Sequence, residues 1–203
     1  VYSMDYKKIT LEMYERYAEK FEAATNTYLL EHLIKDAEFF IQNLPSKRIM
    51  DLGSGPGIHA VFFKERGLEP LCVDFSPAMI GLCRKKGLEA EVGDIENLRF
   101  DDNSFDGIWA CASLLHLPKR NMPPVLDKIN RILKPNGLFF VGVKEGEHEG
   151  LLESDKYPGS IRWFSYYKED ELRKLLSGYF EIVRESKSNP SFGIFLNYIC
   201  RKR

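Results

Sequence analysis

"IMDLGSGPGIHA", residues 49 to 60, decides the fold. An apolar run ends in Asp51, glycines follow at positions 53, 55 and 57, and the chain passes directly into the helical pattern "HAVFFKERG". That order reads as a strand, a tight loop and a helix. Outward from it, "PLCVD", "EAEV" and "FDGIWAC" have strand length and alternate with helical stretches such as "PAMIGLCRKKG". "NMPPVLDKINRILKPNG" predicts a helix from about Pro123 to Leu133, stopped by Pro135 and Gly137, and "LFFVGVK" predicts a buried strand after it. Such alternation specifies an α/β doubly wound, mostly parallel sheet with helices on both faces. Upstream, Leu11, Tyr14, Tyr17, Ala18 and Phe21 share one side of a helix, and Leu30, Leu33, Ala37, Phe40 and Ile41 share one side of another. Downstream, "KEDELRKLLSG" is a helix, and "YFEIVRES" and "FGIFLNYICRKR" form a closing hairpin that adds an antiparallel strand.

The 203 residues, 44% hydrophobic and 29% charged, suffice for one sizeable core, so a single domain is expected. A formal net charge of -1 supplies no field to draw the molecule to nucleic acid or an anionic membrane. Cys72, Cys83, Cys111 and Cys200 lie far apart without C-x-x-C pairs or clustered histidines, so neither a disulfide framework nor a metal site is expected. A reducing, cytoplasmic setting fits these cysteines. The apolar runs are too short to span a bilayer, and no basic-then-apolar leader opens the chain.

In a doubly wound sheet the loop after the first strand faces the crevice where ligands bind. The third glycine stands at 57, and Ile58 holds the place where a dinucleotide fingerprint requires glycine. "PGIHA" also lacks the Gly-Lys-Ser/Thr of a phosphate-binding Walker loop. G-x-G-x-G after an acidic strand end instead resembles the first motif of class I S-adenosylmethionine-dependent methyltransferases. Asp74 lies 21 positions after Gly53, at the family's acidic position, and "DFSPAMI" is similar to the "D-x-S-x-x-M-(I/L)" run of the ubiquinone/menaquinone-methyltransferase-like (type 11) branch. "VGDIENLRF", "FDGIWACASLLHL" and "INRILKPNGLFFV" resemble the next three motifs in order, with Asn136 in place of a glycine.

The resemblance spans residues 45–145 and implies a Rossmann-like seven-stranded sheet binding S-adenosylmethionine, with S-adenosylhomocysteine as product. It also implies a set of cofactor contacts: Asp51, Gly53, Ser54, Gly55 and Gly57 around the amino acid moiety, Asp74 on the ribose hydroxyls with Phe75 and Met79 beside it, Asp94 and Ile95 on the adenine, and Ala110 on the fourth strand. The N-terminal "YERYAEKFE" resembles a segment that folds over the cofactor in relatives, which adds Tyr17 and Phe21 and makes residues 1–44 a helical lid. An aromatic stripe at that spacing is equally the mark of core packing.

Methyl transfer from a sulfonium is an in-line displacement, so alignment carries most of the catalysis and no metal is needed. His116, just past the fourth strand, is the candidate general base, since an imidazole with an ordinary pKa of roughly 6.5 suits proton transfer near neutrality. It is also placed to pack at the start of a short helix. Substrate contacts are expected from Tyr14 and from an insert over residues 146–167 together with Glu145, Arg162, Trp163 and Tyr166. Glu145, Glu147, His148 and Glu149 suit a cationic acceptor or a solvated face. Arg162, Trp163, Phe164, Tyr166 and Tyr167 suit a flat or anionic one, or pack the last helix, which with the closing hairpin fills residues 168–203. The resulting expectation is a monomeric or homodimeric enzyme methylating a small-molecule acceptor. Three other classes stay open: a methyltransferase of RNA or protein, a non-catalytic cofactor-binding module and, more distantly, a nicotinamide dehydrogenase.

Overall fold

A computed structural model of the chain describes residues 6–25, 29–153 and 157–203. Strands β1 (Arg48–Leu52), β2 (Glu69–Asp74), β3 (Glu89–Val92), β4 (Phe105–Cys111), β5 (Leu133–Lys144), β8 (Phe180–Ser188) and β9 (Phe195–Lys202) form one sheet in the order β3-β2-β1-β4-β5-β9-β8. Pairing is parallel from β3 to β5, and β9 runs antiparallel between β5 and β8. This is the Rossmann-like seven-stranded sheet expected. The chain winds outward from β1 to β3, then returns to β4, so a crevice opens beyond the carboxyl ends of β1 and β4.

Helices cover both faces because the central strands are apolar on both. On one face, α2 (Ile34–Asn43) and α3 (Ile58–Glu65) bring Phe40 and Phe63 onto Trp109, whose ring stacks on Phe140 at 3.6 Å. On the other, α5 (Met122–Ile132) and α6 (Glu169–Ser177) bury Leu126, Ile129 and Leu172 against Ile108, Phe139 and Val141. Helix α4 (Pro77–Lys85) starts at Ser76, whose hydroxyl accepts from the Met79 amide. The α5 helix ends one residue earlier than its sequence pattern suggests, and β5 starts at once. Asn136 takes a left-handed φ of 63° there, and the register of β4 against β5 shifts, which absorbs the departure from glycine.

Three features depart from the sequence expectation. Helix α1 (Tyr6–Thr25) is kinked at Tyr17, where φ is -115°. The second helix of the pair begins as a π-helical turn over Leu29–Leu33 before α2, and the side chain of Leu30 falls outside the described residues. The insert carries a sheet of its own, the antiparallel pair β6 (Glu149–Glu153) and β7 (Ile161–Ser165), which packs against α1. The Trp163 amide donates to Thr10 Oγ1 at 3.1 Å and fastens this hairpin to the helix.

Candidate active site

The loop after β1 is built by close approach. Gly53 has a φ of +71°, and a Cβ there would fall 2.2 Å from Ser113 Cβ on the segment after β4. At Gly57, with a φ of +80°, a Cβ would meet Leu88 Cδ1 at 2.6 Å and Cys83 Sγ at 2.9 Å. Both positions therefore need glycine for packing within the protein. Between them the Gly55 amide donates to Asp74 Oδ2 at 2.8 Å, while Ser76 N donates to Asp74 Oδ1 at 2.9 Å.

Beyond this loop lies a cavity of about 630 Å³. Asp51 and Asp74 lie in its wall, only 2% and 6% exposed. Burial first, and then the charge of Asp74, pushes the Asp51 carboxyl up to about 8. Burial raises Asp74 to about 6, against the opposing pull of the Ser76 and Gly55 amides. Among the described residues Asp51 Oδ2 has no hydrogen-bond partner. A buried carboxylate oxygen without a donor is costly, and a cation or strong donor in the cavity would relieve it.

Helix α1 lays one face along the cavity through Lys7, Thr10, Tyr14 and Phe21. Its first turn closes on the segment after β3: Lys7 Nζ lies 2.7 Å from Asp94 Oδ2, and Tyr6 Oη donates to Glu96 Oε2 at 2.5 Å. At the opposite wall His116 Nδ1 lies 2.6 Å from the Trp163 carbonyl, which can only accept, so this nitrogen carries the proton. His116 Nε2 is then an acceptor, and Tyr14 Oη donates to it at 2.7 Å. Arg162 Nη1 in turn donates to Tyr14 Oη at 3.2 Å. Burial, helped by the Arg162 and Lys144 charges, pushes His116 down to about 3.

Residues 50–141 match the family model described as "Methyltransferase domain". The chain is 29% identical to a demethylmenaquinone methyltransferase of Renibacterium salmoninarum over 75% of its own length and 58% of the relative's. It is 35% identical to a phthiotriol/phenolphthiotriol dimycocerosates methyltransferase of Mycobacterium leprae, over 56% of this chain and 44% of that one. Its fold matches the Burkholderia thailandensis 1,6-didemethyltoxoflavin-N1-methyltransferase with a TM-score of 0.66 at 23% identity, over 82% and 76% of the two chains. Over residues 50–141 the chain therefore resembles a methyltransferase domain, and its fold is similar to that of solved methyltransferases. It spans about half the length of the two sequence relatives.

Within this fold, the cavity gathers Asp51, Gly53, Ser54, Gly55, Asp74, Phe75, Asp94, Ile95, Phe21, Tyr14, His116 and Arg162 from the residues singled out in the sequence. Others lie off its wall. Gly57 is engaged in packing, Met79 is buried beneath α1 with Ala18 and Leu82, and Ala110 points into the core under α5. Tyr17 turns away at the kink, and its hydroxyl donates to the Pro158 carbonyl. Trp163 serves through its backbone carbonyl, and Tyr166 stands beside Lys144. Glu145 pairs with Lys187 at 2.9 Å, Glu147 pairs with Lys168, and Glu149 accepts from the Lys119 amide, so this acidic run is matched by lysines at the surface.

Sequence reasoning missed several wall residues. Cys111, Ala112 and Ser113 line the cavity one to three positions beyond Ala110, because Ala112 adopts a left-handed φ of 53° as the strand ends. His59 also lines it, accepting at Nδ1 from Trp109 Nε1 at 3.0 Å, and burial pushes it down to about 4. Phe192 arrives from the loop before β9, Phe195 from the first position of β9, and Lys7 from the first turn of α1. The spacing of Lys7, Thr10, Tyr14 and Phe21, three, four and seven residues apart, was the available signal for α1.

Proposed function

We propose that this chain binds S-adenosylmethionine across the carboxyl ends of β1, β2 and β3 and methylates a small-molecule acceptor. The observation that carries it is Asp51 Oδ2, a buried carboxylate oxygen left without a partner at the glycine loop and facing a cavity of about 630 Å³. That volume suits a cofactor of this size with a small acceptor. The residues present fit the group. Asp51 would receive its ammonium, and Gly53, Ser54 and Gly55 would border the amino acid moiety. Each Asp74 oxygen keeps a further lone pair for the ribose hydroxyls. Ile95 would cover the adenine, and Asp94 would accept from its amine once Lys7 yields. Phe75 would border the adenosine, while Met79 and Ala110 hold the walls from behind.

Bound there, the cofactor supplies a methyl group on a positively charged sulfur, open to in-line displacement. The protein's own contribution is alignment, worth on the order of 7–11 kcal/mol in well-oriented reactions. Helix α1 acts as the lid, excluding water through Tyr14 and Phe21. His116 holds the hydroxyl of Tyr14, and with it Arg162, in fixed orientation; as a base it would work through that hydroxyl. The acceptor enters from the side of β7 and the loop before β9. The relatives' names include quinone and lipid methyltransferases, which supports a small-molecule acceptor. We take the chain to work as one domain in the cytoplasm, with its four cysteines reduced. Among the described residues no helix is long and apolar enough to cross a membrane.

Calorimetric titration with S-adenosylmethionine and S-adenosylhomocysteine tests the binding, and release of S-adenosylhomocysteine with a mixed pool of metabolites tests the transfer. Binding of both ligands with pool-dependent release is expected. Absence of binding would overturn the reading, and binding without release from any pool would leave a cofactor-binding module.

A further inference from the structure

Arg162 lines the cavity and Lys144 stands behind its aromatic wall, and among the described residues no carboxylate pairs with either. Arg162, on β7, lines the wall; its guanidinium carbon lies 4.9 Å from the centre of the Phe164 ring and 5.7 Å from that of Tyr14. Its one hydrogen bond, from Nη1, goes to the neutral Tyr14 hydroxyl, and its Nε is buried with no partner. Lys144, at the end of β5, holds its ammonium 5.4 to 5.7 Å from the ring centres of Tyr166, Phe192 and Phe164. Among the described residues neither forms an ion pair. The carboxylates that could answer them are engaged elsewhere: Asp74 with two backbone amides, Glu145 with Lys187, Glu149 with a backbone amide. Burial and the Arg162 charge both depress the Lys144 ammonium, so the two cations sense one another.

A guanidinium stays charged at every relevant pH. Half-buried without a counter-ion it is unfavourable, and a sulfonium in the same cavity adds a further positive charge. The rings of Phe164, Tyr14, Tyr157, Phe192 and Phe195 line the same cavity. Flat faces of this kind accept a planar ring.

We infer that the methyl acceptor is a small planar molecule bearing an anionic oxygen substituent, which the Arg162 guanidinium binds while Lys144 supports it from behind the aromatic wall. The inference rests on the methyltransferase reading above and names its acceptor class.

The test uses the full chain saturated with S-adenosylhomocysteine and three probes of one shape: benzoate, benzamide and benzylamine. Titration calorimetry should find benzoate bound at least about tenfold more tightly than benzamide, with benzylamine weakest, as a charge-assisted pair predicts. In Arg162→Gln the preference for benzoate should vanish, in Arg162→Lys part of it should return, and in Lys144→Met it should narrow. Equal binding of benzoate and benzamide, preference for benzylamine, no binding of benzoate, or a preference unchanged in Arg162→Gln would each overturn the inference. Binding of S-adenosylhomocysteine, measured first on every variant, reports separately on folding and on the cofactor site. Its loss in the parent chain removes the methyltransferase reading itself, whereas its presence without an anion preference removes only the acceptor class.

Discussion

Tyr14 Oη donates to His116 Nε2 across 2.7 Å, joining the lid helix to the segment after β4. Because the other ring nitrogen is committed to the Trp163 carbonyl, the imidazole is fixed in one tautomer and cannot turn. Burial and two nearby cations keep it neutral, far below the ordinary range from which the sequence suggested a base. We expect Tyr14→Phe to lower stability by about 1–3 kcal/mol, the usual cost of leaving a buried acceptor unpaired. A melting curve unchanged from the parent would contradict the bond.

The same geometry separates orientation from proton transfer. General base catalysis contributes on the order of 10²–10⁴-fold, so a base at His116 would show a loss of that size on removal. We expect His116→Ala to lower kcat by less than about tenfold, with no acid limb near pH 6–7 in the parent. A loss of about a hundredfold, with such a limb in the parent, would restore the base.

Asp51 makes the unliganded protein sensitive to alkali. Its folded pKa of about 8 lies above the ordinary 3.8, so between those values the folded state holds a proton that the unfolded chain has released. Stability therefore falls as pH rises. Asp74, raised to about 6, and the two depressed histidines have largely finished titrating by pH 7. From pH 7 to 8 the loss should run at roughly 1 kcal/mol per unit. Denaturant titrations of Asp51→Asn should lack this slope, and the variant should bind the cofactor far more weakly. In the parent, cofactor binding should release protons at pH 7, detectable as a buffer-dependent enthalpy; no dependence would argue against an ammonium at Asp51.

The three glycines should divide by assay. Gly53→Ala and Gly57→Ala place a methyl against Ser113 or against Leu88 and Cys83, and each should destabilise the fold by about 1–3 kcal/mol. At Gly55, where φ is +53°, the first atom a Cβ would meet is Phe21 Cε1 at 3.7 Å, so Gly55→Ala should cost only the backbone strain of about 1–2 kcal/mol, without a clash, and should lower cofactor affinity besides. Equal melting temperatures for all three variants would refute the division.

In the proposed binding mode Lys7 competes with the cofactor for Asp94. Their side chains are 36% and 42% exposed, so the pair itself is weak, on the order of 0–1 kcal/mol. Lys7→Ala should leave stability nearly unchanged and raise affinity for S-adenosylhomocysteine by up to about fivefold. Asp74→Ala should weaken the same affinity by roughly 1–3 kcal/mol through lost charge-assisted bonds. Weaker binding in Lys7→Ala would mean that the lysine holds the ligand.

The parallel sheet was legible because burial on both faces writes continuous apolar runs such as "RIMD" and "FDGIWAC", and glycines mark the turns between them. The pair of carboxylates at Asp51 and Asp74 was legible for the same reason, as polar residues ending buried strands. What escaped depends on contacts between distant segments. Nothing local announces that Lys7 meets Asp94, that Trp163 turns the His116 ring, or that an isolated hairpin stands beside α1. "EGLLE" and "IRWFS" are ordinary short alternating runs, whose pairing is set by the helix they lie against. The acidic run after β5 misled in the same way, since its partners Lys168 and Lys187 come from beyond the hairpin.

Because β6 and β7 pair with each other in a two-stranded sheet of their own, the hairpin's share of the proposed acceptor pocket can change without disturbing a rung of the main ladder. Its ties to Thr10, His116 and Leu117 are what such a change must keep. A replaced hairpin would be a new tool head on an unaltered handle.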